Sequence, residues 1–407
     1  MTSLARPRLG LRQNAGQFAL LVAVNGLVGG MVGQERTVVP LLARDVFGLT
    51  GFTVVLSFVL AFGVTKALAN LAAGALADRY GRKPVLVAGW VVGLPVPLLL
   101  IWAPDWSWVI LANVLLGINQ GLAWSSTVIM KIDIVGPARR GLAMGLNEAA
   151  GYGAVALTAL ATGFLAAQAG LRPAPFFLGL AIVGLGLGAS VLFVRETRGH
   201  VELERSSAPD LRWRTVAARS TFRDPTLSAV SQAGLVNNLN DGMAWGLLPL
   251  FYASRGLTVG EIGVLAAAYP AVWGIAQIGT GALSDRIGRK GLIVGGMLVQ
   301  AGAIAWIAAS STFAAWLPAA ALLGLGTAMV YPTLLAAVAD LAEPSWRGAA
   351  IGVYRLWRDL GFAAGAIVAG ILADRAGMPF AVGFIAALTG GSGLVALVRM
   401  RETLNAA

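Results

Sequence analysis

Apolar residues in this chain gather into twelve long runs separated by short polar breaks. They fall roughly at Phe18–Leu42, Phe52–Ala77, Val85–Trp102, Trp106–Met130, Gly141–Gln168, Phe176–Val194, Thr226–Ala253, Gly260–Ser284, Leu292–Ala309, Phe313–Ala339, Gly348–Ala373 and Phe380–Leu397. A helix rises 1.5 Å per residue, so about 20 residues cross a hydrocarbon core about 30 Å thick, and the runs have that length. Spans of a membrane barrel would be shorter, about 10 residues, and would alternate in polarity; these do not. The pattern predicts an all-α membrane protein with twelve transmembrane helices.

One sizeable polar stretch, Arg195–Asp224, falls midway and is rich in Arg, Glu and Ser. It reads as a solvated, partly helical linker. The expected organisation is a six-helix bundle over 1–194, a linker over 195–225 and a second six-helix bundle over 226–407. The halves also repeat each other. Asp78-Arg79-Tyr80-Gly81-Arg82-Lys83 returns 207 positions later as Asp285-Arg286-Ile287-Gly288-Arg289-Lys290. Gly117 and Gly324, Asp133 and Asp340, Arg140 and Arg347, Gly141 and Gly348, and Gly145 and Gly352 keep the same offset. A constant offset without insertion means one unit used twice.

Composition sharpens this. Hydrophobic residues make up 57% of the 407 residues and charged ones 12%, against roughly 45–50% and 25% in soluble domains. The 53 glycines suit membrane helices, where small residues let backbones approach closely. With no cysteine, disulfides and thiolate metal sites are excluded. The net charge of +11 would suit nucleic acid, but its distribution argues otherwise. With both ends placed inside, 22 of the 30 Lys and Arg lie on cytoplasmic segments, and the external loops hold Arg44, Arg172, Arg255 and Arg375. That is the positive-inside bias of a membrane protein with cytoplasmic termini. The first apolar run is too long for a signal peptide and lacks an A-x-A cleavage site, so it reads as an uncleaved span. Trp102, Trp106, Trp108 and Trp316 are expected to anchor the external interface.

Gly74-Ala75-Leu76-Ala77-Asp78-Arg79-Tyr80-Gly81-Arg82-Lys83 resembles the loop motif between spans two and three of the major facilitator superfamily, and Gly281 to Lys290 resembles its copy between spans eight and nine. The resemblance covers essentially the whole chain. It implies two six-helix bundles around a central cavity that opens alternately to either side, with Gly74, Asp78, Arg79, Gly81, Arg82, Asp285, Arg286, Gly288 and Arg289 forming the cytoplasmic gating motif. It also implies that Asp78 latches the cytoplasmic side through the start of span eleven. On the chemistry of the loop alone, Gly74 would let helices pack closely and Gly81 would permit a tight turn. The chain departs from the drug/proton antiporter pattern twice: Gly117 stands where that pattern has an arginine before Gln120-Gly121, and Gly151-Tyr152-Gly153 replaces its Gly-Pro pair. Glu35-Arg36 resembles the acidic-Arg pair of several organic-anion and lipid-type facilitators.

Ionisable side chains at bilayer depth are costly and normally face a cavity or a partner. Eight occur here: Glu35, Arg36, Lys66, Glu148, Asp241, Arg355, Arg358 and Asp359. Asn237, Asn240 and Asp241 at i, i+3, i+4 form one polar stripe on span seven, with Trp245 a turn on; Asn113, Gln120 and Trp124 share a face of span four. Glu148 and Arg355 are 207 apart, so the halves place opposite charges at one depth. The expected cavity lining is Arg36, Lys66, Asn113, Gln120, Trp124, Asn237, Asn240, Trp245, Arg355 and Arg358. His200, the single histidine, lies in the linker, so proton coupling falls to carboxylates: Asp241 first, because nothing on its own helix clamps it, then Glu148, with Glu35 and Asp359.

The chain is therefore expected to be a secondary transporter of the cytoplasmic membrane and not an enzyme. Its expected partners are protons, lipid and a small organic solute, with anionic or zwitterionic solutes favoured over cations and no nucleic acid. Proton-coupled efflux leads, with symport or uniport import as the alternative and a transport-dead receptor of the same fold behind both. No nucleotide-binding loop, metal cluster or cofactor motif is recognisable, and a monomer is expected.

Overall fold

The computed structural model describes residues 9–135, 140–201, 213–343 and 346–404, with side chains described outside 140–143, 200 and 201. Much of the expected linker, the Arg140 side chain of the repeat and the His200 imidazole lie outside what is described. Every described element is helical, as lipid requires: with no water in the bilayer core, an apolar chain satisfies its backbone groups within helices. Span one is Ala15–Asp45, two Ser57–Tyr80, three Arg82–Trp102, four Trp106–Val135 and six Ala174–Leu192. Span five is Arg140–Ala169. Span eight is Val259–Ile287, nine Lys290–Ala309, ten Phe313–Leu341, eleven Arg347–Ala376 and twelve Met378–Arg399. These eleven are long and apolar enough to cross a membrane. Span seven, Pro225–Gly246, completes the twelve-helix architecture; its 22 residues have the length, and its asparagines and Asp241 dilute the apolar character.

Sequence sets the helix ends and breaks. Asp224 accepts from the N–H groups of Thr226 and Leu227 at 2.9 Å, ahead of Pro225, satisfying orphan donors at the start of span seven. Thr258 and Glu261 form a capping box at the start of span eight. Gly81 and Gly288 turn with φ of 99° and 101°, a conformation that favours glycine, so both copies of the loop turn as the motif predicts. Span one breaks after Arg36 and resumes at Val39–Asp45 around Pro40, and span seven breaks after Gly246 and resumes at Leu248–Ser254 around Pro249. Proline lacks the donor that would continue the ladder. Span four carries a π-helical turn at Gln120–Trp124, a distortion frequent at functional sites.

The N-terminal segment bonds the end of span four (Gly10 N to Ile134 O, 3.0 Å) and Arg401 N bonds Thr226 Oγ1 at the start of span seven (3.3 Å), so both described ends lie on one face, the terminal face. Away from it the halves are sealed. A Cβ at Gly63 would lie 2.7 Å from the backbone nitrogen of Ala363, and one at Gly163 would lie 2.7 Å from the Cα of Gly263. Spans two and eleven, and five and eight, are thus in backbone contact there. Near the terminal face the same helices part: a Cβ at Gly74, Gly145 or Gly352 meets nothing within 4 Å. The close packing expected at Gly74 is therefore absent, because the halves diverge at that end. The tryptophan anchors also divide. Trp102 and Trp108 are exposed, whereas Trp316 and Trp106 are buried and donate Nε1 to Ile307 O and Ser57 Oγ.

Candidate functional site: a charged cavity between the halves

Where the halves diverge, Lys66, Asn70, Trp124, Ser125, Glu148, Tyr152, Tyr331, Arg355 and Arg358 enclose a space of about 290 Å³, its mouth included. Spans two, four and five supply one wall and spans ten and eleven the other. The two walls are hydrogen-bonded to each other. Ser125 Oγ donates to Asn70 Oδ1 (2.6 Å), Asn70 Nδ2 donates to Asp359 Oδ2, and Arg358 donates through Nε and Nη2 to Asp359 Oδ1 (2.9 and 2.7 Å). Arg358 Nη1 also donates to Tyr331 Oη (2.7 Å), which receives a longer bond from Tyr152 Oη (3.3 Å). Asp359 thereby neutralises Arg358. That leaves Lys66 and Arg355 against Glu148, a wall with positive excess.

Lys66 makes no salt bridge among the described residues. Its ammonium sits over the Phe362, Phe62 and Trp124 rings at 4.8, 5.3 and 5.9 Å, an attraction that strengthens when desolvated. Glu148 Oε1 accepts from Asn147 Nδ2 (2.8 Å) and Trp124 Nε1 (3.1 Å). Behind Tyr152 stands Trp273, stacked at 3.5 Å.

Four of the ten expected lining residues, Lys66, Trp124, Arg355 and Arg358, line this cavity. The others are spent elsewhere. Asn237 accepts from Gln300 Nε2 and Asn240 donates to Gln300 Oε1, both at 3.0 Å, while Thr389 donates to Asn240. The span-seven stripe therefore splits: its asparagines bind spans nine and twelve, and Asp241 turns to span one. Asn113 donates back to Val109 O and Gln120 donates to Val28 O, so both are buried within the first half. Trp245 packs edge-to-face with Phe58, Phe62 and Phe362, sealing the cavity from the far side. Periodicity shows which residues share a helix face and is silent about which neighbour that face meets.

Arg36 lies beyond this seal and grips Asp241 at both oxygens, Nη1 to Oδ1 at 2.7 Å and Nη2 to Oδ2 at 2.8 Å. The expectation that Asp241 is unclamped is thus corrected: the clamp comes from span one, which its own helix could not reveal. Arg36 and Trp245 border a second, narrow pocket with Tyr252, Tyr269 and Leu323. Glu35, beside Arg36, is fully buried; the Asn113 side chain lies against its carboxyl, and neither oxygen makes a well-formed hydrogen bond.

At the terminal face, Asp78 is 74% exposed and bridges Arg82 at 2.9 Å, and Asp285 bridges Arg289 at 2.6 Å. The latch from Asp78 to span eleven is not made here, because that end of the molecule is splayed. Arg82 also binds Asp133 (3.2 Å) and Arg289 binds Asp340 (3.0 Å). A repeated element unforeseen in the motif completes each loop. Glu196 accepts from the N–H groups of Arg82 and Lys83, both at 3.0 Å, and Glu402 from those of Arg289 and Lys290 at 2.7 and 3.1 Å. Partial burial raises the Glu196 carboxyl, but four backbone donors, from Arg82, Lys83, Arg198 and Thr197, hold it below the usual range; Glu402 is held the same way. The signal was present in the sequence as Arg195-Glu196-Thr197 and Arg401-Glu402-Thr403, one residue off the 207 offset. Lys131, one of the 22 basic residues that the topology assigns to cytoplasmic segments, is instead buried inside span four and donates to Leu21 O at 3.1 Å.

The family model described as Major Facilitator Superfamily matches residues 18–238 and 230–406. The chain belongs to the Major Facilitator Superfamily. Members are transporters rather than enzymes, and with its apolar helices the chain is a multi-pass membrane protein. Among curated proteins it is 26% identical over 362 residues to the uncharacterised MFS-type transporter STM4428 of Salmonella typhimurium, covering 84% of this chain and 85% of that one. It is 26% identical to the uncharacterised MFS-type transporter YhhS of Salmonella enteritidis, covering 97% and 93%. It is also 26% identical to the multidrug resistance protein MdtG of Salmonella paratyphi C, covering 67% and 68%. Among solved structures, a POT family transporter in complex with a thioalcohol-conjugated peptide superposes with a TM-score of 0.76 at 14% identity, covering 94% and 95% of the two chains. At that identity the likeness is one of fold.

Proposed function

We propose that this superfamily member is a proton-coupled exporter of a small anionic or zwitterionic organic solute, working by alternating access in the cytoplasmic membrane with both termini inside. The observation that carries the solute class is the positive excess at the cavity, where Lys66 and Arg355, which make no salt bridge among the described residues, stand opposite Glu148. The positive-inside bias makes the terminal face cytoplasmic, so the cavity stands open to the cytoplasm. The outward direction draws on the relative named a multidrug resistance protein.

Coupling is assigned to Glu35. Asp241 is fixed by Arg36, Asp359 by Arg358 and Asn70, and Glu148 is bonded at one oxygen. Glu35 alone among these four carboxyls is buried with neither oxygen in a well-formed hydrogen bond, the Asn113 amide being the polar side chain against it. An ionised carboxylate in such a place is prohibitively costly, so the neutral acid occupies it. Opening the far face would admit water beside it and let it ionise, which gives the two protonation states that coupling needs. The test uses proteoliposomes with an imposed pH gradient and a panel of labelled small carboxylates and amino acids. Wild-type protein is expected to accumulate a member of the panel, and Glu35→Gln to lose gradient-driven accumulation while retaining solute exchange. Gradient-driven accumulation by Glu35→Gln at the wild-type level would move coupling to another group.

A further inference from the structure

Glu148 and Arg355 hold the same position in the two copies of the repeat, 207 residues apart, and bring opposite charges into one cavity. They do not bridge one another, and each arrives with hydrogen-bonding capacity unused. Both bonds to Glu148, from Asn147 and Trp124, fall on Oε1. Its Oε2 is buried without a partner in a side chain only 8% exposed. Arg355 Nε is likewise buried without a partner. Native interiors pair such atoms almost without exception, so a buried unpaired acceptor and a buried unpaired donor in one cavity call for an explanation. Lys66 adds a second cation, held by aromatic rings and, among the described residues, free of a carboxylate bridge. Between the charges run the Trp124 and Tyr152 rings, 5.4 Å apart.

We propose that the cavity is built for a zwitterion: an ammonium group bonded to Glu148 Oε2 and a carboxylate bonded to Arg355 Nε beside Lys66, with the linking carbons against Trp124 and Tyr152. This rests on reading the central cavity as the solute site and narrows its class. A simple anion would satisfy Arg355 and leave Glu148 Oε2 unpaired with a like charge beside it. A simple cation would do the reverse beside Lys66 and Arg355. One solute carrying both charges satisfies every open atom. A site built to bond a polar group rejects analogues lacking that group far more strongly than a site that only encloses them.

The test is ligand-dependent thermal stabilisation of the purified full-length protein. The probes are glycine, β-alanine, 4-aminobutyrate, 5-aminovalerate, 6-aminohexanoate and phenylalanine, each set against the matched carboxylate lacking the amine and the matched amine lacking the carboxylate. At least one zwitterion is expected to bind tenfold or more tightly than both of its partners. In Glu148→Gln that advantage over the matched carboxylate should vanish, and in Arg355→Gln the advantage over the matched amine should vanish. Should a variant fail to fold, the wild-type ranking decides alone. Equal binding of zwitterion and matched carboxylate overturns the two-charge site while leaving the anion reading standing. Binding by amines alone overturns both, and so does binding by no probe.

Discussion

Arg36 of span one and Asp241 of span seven meet in a two-point ion pair that joins the halves beyond the aromatic seal, at 2.7 and 2.8 Å. Both side chains are buried, so removing one partner leaves an uncompensated charge, a loss of about 3–5 kcal/mol in comparable cases. The pair ties the two halves together on the closed far face, so the loss is expected to fall on that state. Asp241→Asn is expected to shift the protein toward far-face opening. Labelling of a cysteine introduced as Leu56→Cys, a position buried here against Gly246 of span seven, would rise several-fold, and the cysteine-free background keeps the readout clean. Unchanged labelling would make the pair a passive strut.

Lys66 carries its charge over three rings with no carboxylate bridging it. Lys66→Met is expected to weaken binding of a carboxylate solute tenfold or more, and Lys66→Arg to weaken it less, as read by the same stabilisation assay. Equal affinity in all three proteins would remove Lys66 from the site.

The glycines predict opposite locks. Leucine at Gly163 must displace the backbone of Gly263, an overpacking cost of about 1–3 kcal/mol borne by the far-closed state. Tryptophan at Gly145 meets open space here and obstructs closure of the terminal face. Gly163→Leu should therefore raise far-face labelling, whereas Gly145→Trp should keep it low and abolish transport without lowering thermal stability. Loss of stability in Gly145→Trp would show that this end is packed more tightly than described.

Glu196 and Glu402 give a pH signature. Each carboxyl titrates below its ordinary value when folded because backbone N–H groups bond its ionised form. Its stabilising contribution is complete above the unfolded value, about 4.3, and is lost as pH falls through the lower folded value. Glu196→Gln is expected to melt earlier than wild type at pH 6, with the gap closing toward pH 3. A gap independent of pH would assign the role to shape rather than charge.

Twelve spans, the repeat and the loop turns were legible in sequence because lipid forces apolar runs into helices and a tight turn demands Gly81 or Gly288. The identity of intramembrane charges was legible too, since each is costly wherever it sits. Their partners were not. Asp241 looked unclamped because Arg36 approaches from 205 residues away, and Asn237 looked solute-facing because helical spacing cannot say which of two neighbours a stripe meets. Part of the cavity was recoverable all the same. Adding 207 to Lys66 and Trp124 gives Trp273 and Tyr331, which with Trp124 itself are the aromatic residues against which Tyr152 packs.

Glu148 and Arg355 descend from a single position, so the axis relating the halves passes between opposite charges held at equal depth. A zwitterion spanning them lies in the membrane plane, across the transmembrane voltage rather than along it. Each elementary charge moved through 100 mV exchanges about 2.3 kcal/mol with the field, yet a solute with paired charges at one depth exchanges none. The electrical component of the driving force then acts on the proton alone, and the voltage dependence of transport counts protons directly.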